Sequence, residues 1–319
     1  MKIARLLAAS WGWVTARPMD PAERLRINRE LMLECLEKSA RFQPDFVLFP
    51  ELALNAATGP MPGAGALAEP LPGPTFERVA AAARKLGSHV ILPMYEREGD
   101  RLYNTAALIG RDGALMGRYR KFHATGYEIR EGVMPGEDVP VWQTDRGRVG
   151  CAICFDLKFP IVGLSLSRRN AQCVFFPTMF YGGARLVSWA MDYGFHIVRC
   201  HAAGGRIVEP TGQTVAIEGP PEPLGDPEAR VKWTFAEVNL DHRTYHFDFH
   251  REKLEAVCRK YGAGVSIRRM PDEGTFNLAS NLAHVSIEDL EREFQLQSLR
   301  SYLDEAEDIR RRILQGETP

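Results

Sequence analysis

A glutamate, a lysine and a cysteine each follow an apolar run of the kind that is typical of buried β-strands. Glu51 lies in FPEL (49–52), Lys121 in YRKFH (119–123) and Cys154 in GCAICFD (150–156). A cysteine can supply a soft nucleophile, a glutamate can move its proton, and a lysine can stabilise negative charge that develops on a substrate oxygen. Together the three residue types predict acyl transfer that needs neither a metal nor a cofactor.

Cys154 has the strongest chemical case of the three. The apolar run 148–155 predicts a strand that carries Cys154 to its end, and residues 161–167 predict a helix after it. A strand end that turns into a helix can present a thiol and the backbone N–H of Phe155 to one substrate atom. The alternative is an inert buried cysteine, which is what we expect of Cys151. The two cysteines also match a CxxC metal or redox pair, but no second pair follows and the spacer is apolar.

Glu51 and Lys121 are expected to turn inward and to meet. Partial burial beyond the rigid Pro50 would raise the proton affinity of Glu51 toward the working pH, which suits a general base. The alternative is a surface carboxylate. Adjacent residues of a strand face opposite sides, so Lys121 can point inward while Arg120 stays exposed. A buried Lys121 paired with Glu51 would also favour the thiolate of Cys154.

The elements that must position these residues alternate between strand and helix. Asp20 and Pro21 predict a helix start, and helices are also predicted at 76–86, 161–167 and 184–193. Strands are predicted at the N-terminus and at 46–49, 89–94, 103–109, 114–119, 148–155, 172–177, 195–200, 205–209 and 232–238. This alternation predicts an α/β fold.

Several segments resemble, in order, the nitrilase superfamily of carbon–nitrogen hydrolases. They are DFVLFPEL (45–52), YNTAALI (103–109), GRYRKFH (117–123), MPG (134–136), GRVG (147–150) and CFDLKFP (154–160). The resemblance covers roughly the first 240 residues and is to the amidase and carbamoylase branch, since true nitrilases differ after the cysteine. It implies a four-layer αββα sandwich, with Cys154 as nucleophile, Glu51 as general base and Lys121 as oxyanion stabiliser. It also suggests Glu128 as a second glutamate that positions substrate or Lys121, with Glu131 as the competitor.

Two departures from the family pattern leave the substrate open. Residues 189–193 read WAMDY where many members have an Arg-Ala-x-Glu-Asn stretch. Met179, Phe180 and Tyr181 follow a predicted strand at the place where this family lines its acyl pocket, and with Tyr127 they are our candidate pocket residues.

The C-terminal part has a different character from the rest. We assign residues 1–265 to a carbon–nitrogen hydrolase domain and 266–319 to a C-terminal helical extension. The segment 241–280 is expected to be irregular. Ser286 is expected to cap one long helix with an apolar stripe, which favours contacts in a homodimer or higher homo-oligomer.

His242, His246 and His250 recur at every fourth residue. On a helix they would share one face and could bind zinc. The alternative is a surface or interface cluster, which we favour because the proposed chemistry needs no metal or cofactor.

Composition and charge exclude several classes of protein. The chain has 319 residues and a net charge of −1, which gives no electrostatic footprint for nucleic acid or a membrane. No apolar stretch approaches the ~20 residues that cross a bilayer, and the apolar start is too short for a signal peptide. The six cysteines have no framework spacing, which favours a reduced, cytoplasmic protein.

From the residues and the resemblance we expect hydrolysis of a small carboxamide or N-carbamoyl compound through a thioester on Cys154. The alternatives are amide-forming acyl transfer, nitrile hydrolysis, and an inactive assembly subunit of the same fold.

Overall fold

The computed structural model describes residues 2–11, 20–55 and 63–317. Its centre is a pair of mixed β-sheets built from the apolar runs of the sequence. The first sheet has seven strands within these ranges: β1 (Ile3–Trp11), β2 (Phe46–Leu48), β3 (His89–Glu98), β4 (Arg101–Ile109), β5 (Leu115–Arg120), β12 (Glu222–Pro223) and β13 (Arg230–Asn239). The second has six: β6 (Val141–Gln143), β7 (Arg148–Cys151), β8 (Cys173–Thr178), β9 (His196–His201), β10 (Gly204–Val208) and β11 (Thr214–Ile217).

Both sheets have a parallel centre with antiparallel flanks. The strand order is β12-β13-β1-β2-β3-β4-β5 in the first sheet and β11-β10-β9-β8-β7-β6 in the second. Strands β1, β2 and β3 pair in parallel, as do β7, β8 and β9. Because the carboxyl ends of parallel strands meet at one edge of a sheet, the residues that follow them are gathered there.

The helices form the outer layers of the sandwich, and the last three lie in the C-terminal segment of the chain. They are α1 (Pro21–Ser39), α2 (Ala64–Leu67), α3 (Pro74–Leu86), α4 (Gly126–Arg130), α5 (Pro160–Arg168), α6 (Gly183–Tyr193), α7 (Arg251–Tyr261), α8 (Ile287–Phe294) and α9 (Leu299–Leu314). Asp20 caps α1 as expected, since its Oδ1 accepts hydrogen bonds from the N–H groups of Ala22 and Glu23 at 2.9 and 3.0 Å.

Two apolar clusters hold the layers together. The apolar faces of α1 and α3 pack on the outer face of the first sheet, through residues such as Met32 and Val79. Helices α5 and α6 belong to the cluster that also fills the space between the sheets, where the rings of Phe46 and Phe175 lie 5.2 Å apart. The order of layers is therefore helix, sheet, sheet, helix, which confirms the predicted αββα sandwich.

The expectation that residues 241–280 are irregular is wrong. This segment contains α7 and a third, antiparallel sheet of order β14-β16-β15, formed by β14 (His242–His246), β15 (Val265–Met270) and β16 (Thr275–Ser280). Burial of Tyr245, Phe276 and Leu278 against α7 and α8 stabilises it. Buried polar residues on the opposite face of the sheet, such as His242, Thr244 and Asn277, hid the pattern. Residue 265 is the first of β15, and the division of the chain at that point stays a prediction.

The expectation of one long C-terminal helix is also wrong. Ser286 does cap a helix, but α8 ends at Phe294 because Gln295 adopts a left-handed backbone with a φ of 52°. Ser298 then caps α9 by accepting a hydrogen bond from Ser301 N at 3.1 Å. Within the ranges that the structure describes, no helix combines the length and apolar character needed to cross a membrane.

Candidate active site

Glu51 lies just beyond the carboxyl end of β2, and its side chain is buried. The residue is 5% exposed. Its Oε1 accepts hydrogen bonds from Lys121 Nζ and from Asn104 Nδ2, each at 2.9 Å. Its Oε2 is equally buried and has no hydrogen-bond partner among the described residues. One carboxylate oxygen is thus fixed by the protein while the other remains available for a proton.

Lys121 follows β5 and points inward, as predicted from strand alternation. It is 2% exposed, and its Nζ lies 2.9 Å from both Glu51 Oε1 and Glu128 Oε2. Arg120 points to the other side and pairs with Glu96 at 2.6 Å. Burial alone would lower the pKa of Lys121, but the two carboxylates raise it well above its ordinary value. Lys121 is therefore a fixed positive charge.

Glu128, and not Glu131, is the second glutamate that contacts Lys121. Glu128 lies in α4, where its carboxylate also accepts a hydrogen bond from Thr125 N at 2.8 Å. Burial raises its pKa, yet the nearby Lys121 and the hydrogen bond from Asn104 bring the pKa below its ordinary value. Glu131 is exposed at the end of the same helix. The geometry thus decides between the two candidates that the sequence had left open.

Asn104 is a site residue to which the sequence analysis gave no role. It lies in β4, is fully buried, and donates one N–H to Glu51 Oε1 at 2.9 Å and the other to Glu128 Oε1 at 2.7 Å. One amide group therefore holds both carboxylates in place. The sequence did contain one indication of this role, since an asparagine lies inside an apolar run. A buried amide requires hydrogen-bond partners.

Cys154 is not part of a strand, contrary to the prediction for residues 148–155. Strand β7 ends at Cys151, and Cys154 begins a short 3₁₀ turn, Cys154–Lys158, with a φ of 47°. A positive φ is strained for a residue with a side chain, and such strain is common at functional sites. Cys154 is half-buried, whereas Cys151 is buried as expected. Phe155 follows in the same turn, and the use of its N–H as an oxyanion donor stays a prediction.

The environment of Cys154 keeps it protonated at rest. Burial and the negative charge of Glu51 raise the pKa of the thiol to about 12. Lys121 and a hydrogen bond from the backbone of Met179 act in the opposite direction. Lys121 therefore lowers the pKa of the thiol, as predicted, but this effect is smaller than the increase caused by burial and by Glu51. The thiol therefore needs a base, and Glu51 lies close enough for its negative charge to raise the pKa of the thiol.

Asp156 is a second residue whose role the sequence analysis missed. Its buried carboxylate accepts hydrogen bonds from Tyr119 Oη at 2.7 Å, His123 N at 2.8 Å and Ile153 N at 2.9 Å. Burial raises its pKa, and these donors partly offset that effect. Asp156 therefore joins the turn that carries Cys154 to the segment that carries Lys121.

A cavity opens at this edge of the sandwich, between the ends of β1, β2, β8 and β9. It is lined, among the described residues, by Trp11, Pro50, Glu51, Leu52, Ala53, Asn55, Thr178, Met179, His201 and Ala202. Of the four predicted pocket residues, Met179 lines it. Tyr181 is 56% exposed and its ring stacks on His201, with centroids 4.5 Å apart. Phe180 packs edge-on against Phe176 and Tyr127 is exposed on α4, so neither lines this cavity.

The three histidines form neither the helical cluster that zinc binding would require nor the surface cluster that we favoured, since all three are buried. His242 and His246 lie in β14, and His250 follows that strand. His242 Nε2 lies 3.1 Å from His196 Nδ1, whereas His250 Nε2 accepts a hydrogen bond from Gln297 N. A search of the described ranges finds no group of three or more His, Cys, Asp or Glu that could hold a metal ion.

Comparison with known proteins identifies the family. The carbon–nitrogen hydrolase model matches residues 13–224, which is about two thirds of the chain. The chain therefore belongs to the carbon–nitrogen hydrolase family.

Its relatives match over part of their length. A hydrolase of Pseudomonas protegens is 30% identical over 164 residues, covering 51% of this chain and 55% of that protein. An omega-amidase of Xenopus tropicalis is 31% identical over 124 residues, and an N-carbamoylputrescine amidase of Solanum lycopersicum is 34% identical over 116 residues. Each match covers 35% of this chain, with 44% of the first protein and 39% of the second. The matches thus span about half, or less, of each relative.

Two solved structures share the fold. An amidase from Nesterenkonia sp. superposes with a TM-score of 0.58 at 20% identity, covering 79% of this chain and 95% of that one. Nit3 of Saccharomyces cerevisiae superposes with a TM-score of 0.55 at 20% identity, covering 81% and 95%. A mutant of the Nesterenkonia amidase shows Michael addition of acrylamide at its active-site cysteine.

Proposed function

We propose that this chain hydrolyses a non-peptide C–N bond in a small carboxamide or N-carbamoyl compound, with Cys154 as nucleophile, Glu51 as general base and Lys121 as oxyanion stabiliser. The observation that carries the proposal is the state of Glu51. One of its oxygens is held by Lys121 and Asn104, and the other is buried and unoccupied beside a thiol that must lose its proton.

The first half of the reaction forms an acyl-enzyme. Glu51 takes the proton of the Cys154 thiol as sulfur attacks the carbonyl carbon. Lys121 and the Phe155 N–H stabilise the oxyanion of the tetrahedral intermediate. Glu51 then passes the proton to the departing nitrogen, the C–N bond breaks, and a thioester remains on Cys154.

The second half releases the acid. Glu51 removes a proton from water, the hydroxide adds to the thioester carbonyl, and the same donors stabilise the second oxyanion. Collapse returns the proton to sulfur and frees the carboxylic acid. One amide and one water thus give one acid and one amine or ammonia. Glu128 keeps Lys121 in position during both halves.

Ammonia release from short amides and carbamoyl amino acids tests this proposal. Cys154→Ala should leave the fold intact and abolish release, whereas Cys258→Ala, at the other half-buried cysteine, should leave it unchanged. Retention of near wild-type release in Cys154→Ala would refute the mechanism. Capture of the thioester by an added amine would instead favour acyl transfer, and equal reactivity of all six thiols with an alkylator would favour an inactive assembly subunit.

We also propose that two copies of the chain pair through α9. Four apolar residues of this helix are 40% or more exposed, namely Leu303, Ile309, Ile313 and Leu314. Within this helix the acidic residues Asp304, Glu305, Glu307 and Asp308 precede the basic residues 310–312. In a two-fold dimer, antiparallel α9 helices would place each acidic segment against the basic segment of the partner. The six free cysteines favour a reducing, cytoplasmic location for this assembly.

A further inference from the structure

Two residues that line the cavity next to Glu51 carry buried side-chain N–H groups that have no acceptor among the described residues. Trp11 is 1% exposed at the end of β1, and Asn55 is 2% exposed in the turn after Glu51. In the part of the chain that the structure describes, neither Trp11 Nε1 nor Asn55 Nδ2 has a hydrogen-bond partner. Both residues belong to the cavity wall. Buried donors without partners are rare in folded proteins, so a pair of them in one cavity indicates a ligand that supplies the acceptor.

The turn that carries Asn55 and the ring of Trp11 are held in place before any ligand binds. Asn55 N donates to Leu52 O at 2.8 Å, and the side chain of Asn28 in α1 donates to Leu54 O at 3.1 Å, which fixes the turn. The ring of Trp11 packs against Phe49 with centroids 5.3 Å apart. Donors that are already oriented lose little entropy when they bind an acceptor.

The other polar groups of the cavity wall already have partners. His201 Nε2 bonds to Met179 O at 3.1 Å, and its Nδ1 accepts from Ala203 N at 3.0 Å. Thr178 Oγ1 donates to Phe180 O at 3.0 Å. The rest of the wall is apolar apart from Glu51. A ligand in the cavity would therefore contact the carboxylate of Glu51, the apolar wall beside it, and the two N–H donors of Trp11 and Asn55.

The charge of the cavity decides which acceptor fits. Glu51 lines the cavity, whereas no lysine or arginine does among the described residues. A carboxylate on the ligand would be repelled by Glu51 and would find no countercharge there. A neutral carbonyl oxygen needs only donors, and an indole N–H can act only as a donor.

We propose that Trp11 and Asn55 form a subsite for a neutral carbonyl oxygen in the acyl part of the substrate. This inference rests on the proposed function, because it places the scissile amide beside Glu51, a proposed catalytic residue that lines the cavity. The substrate class is then a small amide or carbamoyl compound with a second, uncharged carbonyl group.

Binding of a matched pair of amides to the full-length Cys154→Ala protein tests the subsite. Pentanamide and 4-oxopentanamide have the same chain length and differ by one carbonyl. By calorimetry we expect the oxo compound to bind about tenfold more tightly, which is the contribution of a typical hydrogen bond. Trp11→Phe in the same background should reduce this preference to near unity, and Asn55→Ala should also reduce it. Trp233→Phe, at a buried tryptophan outside the cavity, is the matched control and should retain the preference.

The outcomes separate this inference from the function on which it rests. Equal affinity for the two amides, binding of neither, or a preference that survives both Trp11→Phe and Asn55→Ala in folded protein would overturn the subsite. Tighter binding of succinamate than of 4-oxopentanamide would overturn its neutral character. Turnover that survives Cys154→Ala would refute the proposed mechanism. The affinity comparison does not depend on turnover, so its outcome concerns the subsite alone.

Discussion

The ammonium of Lys121 lies 2.9 Å from a carboxylate oxygen of Glu51, and each of these side chains is only 2% exposed. Such a pair is stable only while both members are present, because either charge alone would be buried without compensation. The pair therefore links the chemistry of the site to the stability of the fold.

Lys121→Met should lower both activity and stability. The substitution leaves Glu51 and Glu128 buried without their cation, so we expect the free energy of unfolding to fall by about 3–5 kcal/mol. Urea unfolding followed by circular dichroism measures this change. Lys158→Met, at an exposed lysine, is the control and should change it by less than about 0.5 kcal/mol. Equal stability of the two variants would contradict the buried pair.

Asn104→Leu should slow turnover although Asn104 does not contact the substrate in the proposed mechanism. It removes two hydrogen bonds to carboxylates, each of which contributes about 1.5–3 kcal/mol, so kcat should fall at least about tenfold. The pH profile should also move, because the donor that helps to hold Glu128 ionised is lost. Steady-state kinetics with Asn281→Ala as a surface control measures both effects. An unchanged pH profile would assign Asn104 a packing role only.

The alkylation of Cys154 should depend on pH in a direction set by Glu51. Because the pKa of the thiol is raised to about 12, the thiolate fraction and the iodoacetamide rate should keep rising through pH 10 without a plateau near 8.5. Glu51→Gln removes the negative charge that raises this pKa and leaves Lys121 in place. The variant should therefore alkylate faster at pH 8 and yet hydrolyse amides more slowly. A plateau below pH 9 in the wild-type protein would contradict this account.

Amides should be better substrates than the corresponding nitriles. In the proposed mechanism Lys121 and the Phe155 N–H stabilise an oxyanion, which addition to an amide produces and addition to a nitrile does not. Pentanamide and pentanenitrile, compared by kcat/KM under the same conditions, form a suitable pair. Faster turnover of the nitrile would make the amidase assignment wrong even with Cys154 as nucleophile.

Disruption of α9 should dissociate the proposed dimer. Ile309→Asp places a charge among the exposed apolar residues of α9. The double variant Arg310→Glu, Arg312→Glu places negative charges against the acidic segment of the partner helix, which they should repel. Light scattering should report a dimer for the wild-type chain and a monomer for these variants. Phe249→Asp, at an apolar residue that is 84% exposed elsewhere, should remain dimeric. A wild-type monomer at micromolar concentration would exclude the pairing.

The sequence predicted those features that depend on local pattern. Apolar runs located the strands of the sandwich, and strand alternation correctly placed Lys121 inside and Arg120 on the other side. Asn104 and Asp156 received no role because their partners lie far away in the chain. Asn104 meets Glu51 across 53 residues, and Asp156 meets Tyr119 across 37.

The errors at the C-terminus have a local cause. The left-handed Gln295 carries none of the usual signals of a helix end, such as glycine, so α8 and α9 were predicted as one helix. The positive φ of Cys154 was equally invisible, since an apolar run before a cysteine predicts a longer strand.

The hydrogen bonds of Asp156 have a mechanical consequence. Glu51 and Lys121 follow strands of the first sheet and Cys154 follows a strand of the second, so sliding of one sheet over the other would separate the proposed nucleophile from its proposed base. Asp156 accepts hydrogen bonds from Tyr119 in the first sheet and from Ile153, which follows β7 of the second sheet. These bonds oppose movement of the two sheets relative to each other at the site. Loss of this contact between the layers should therefore abolish the proposed activity before either sheet unfolds.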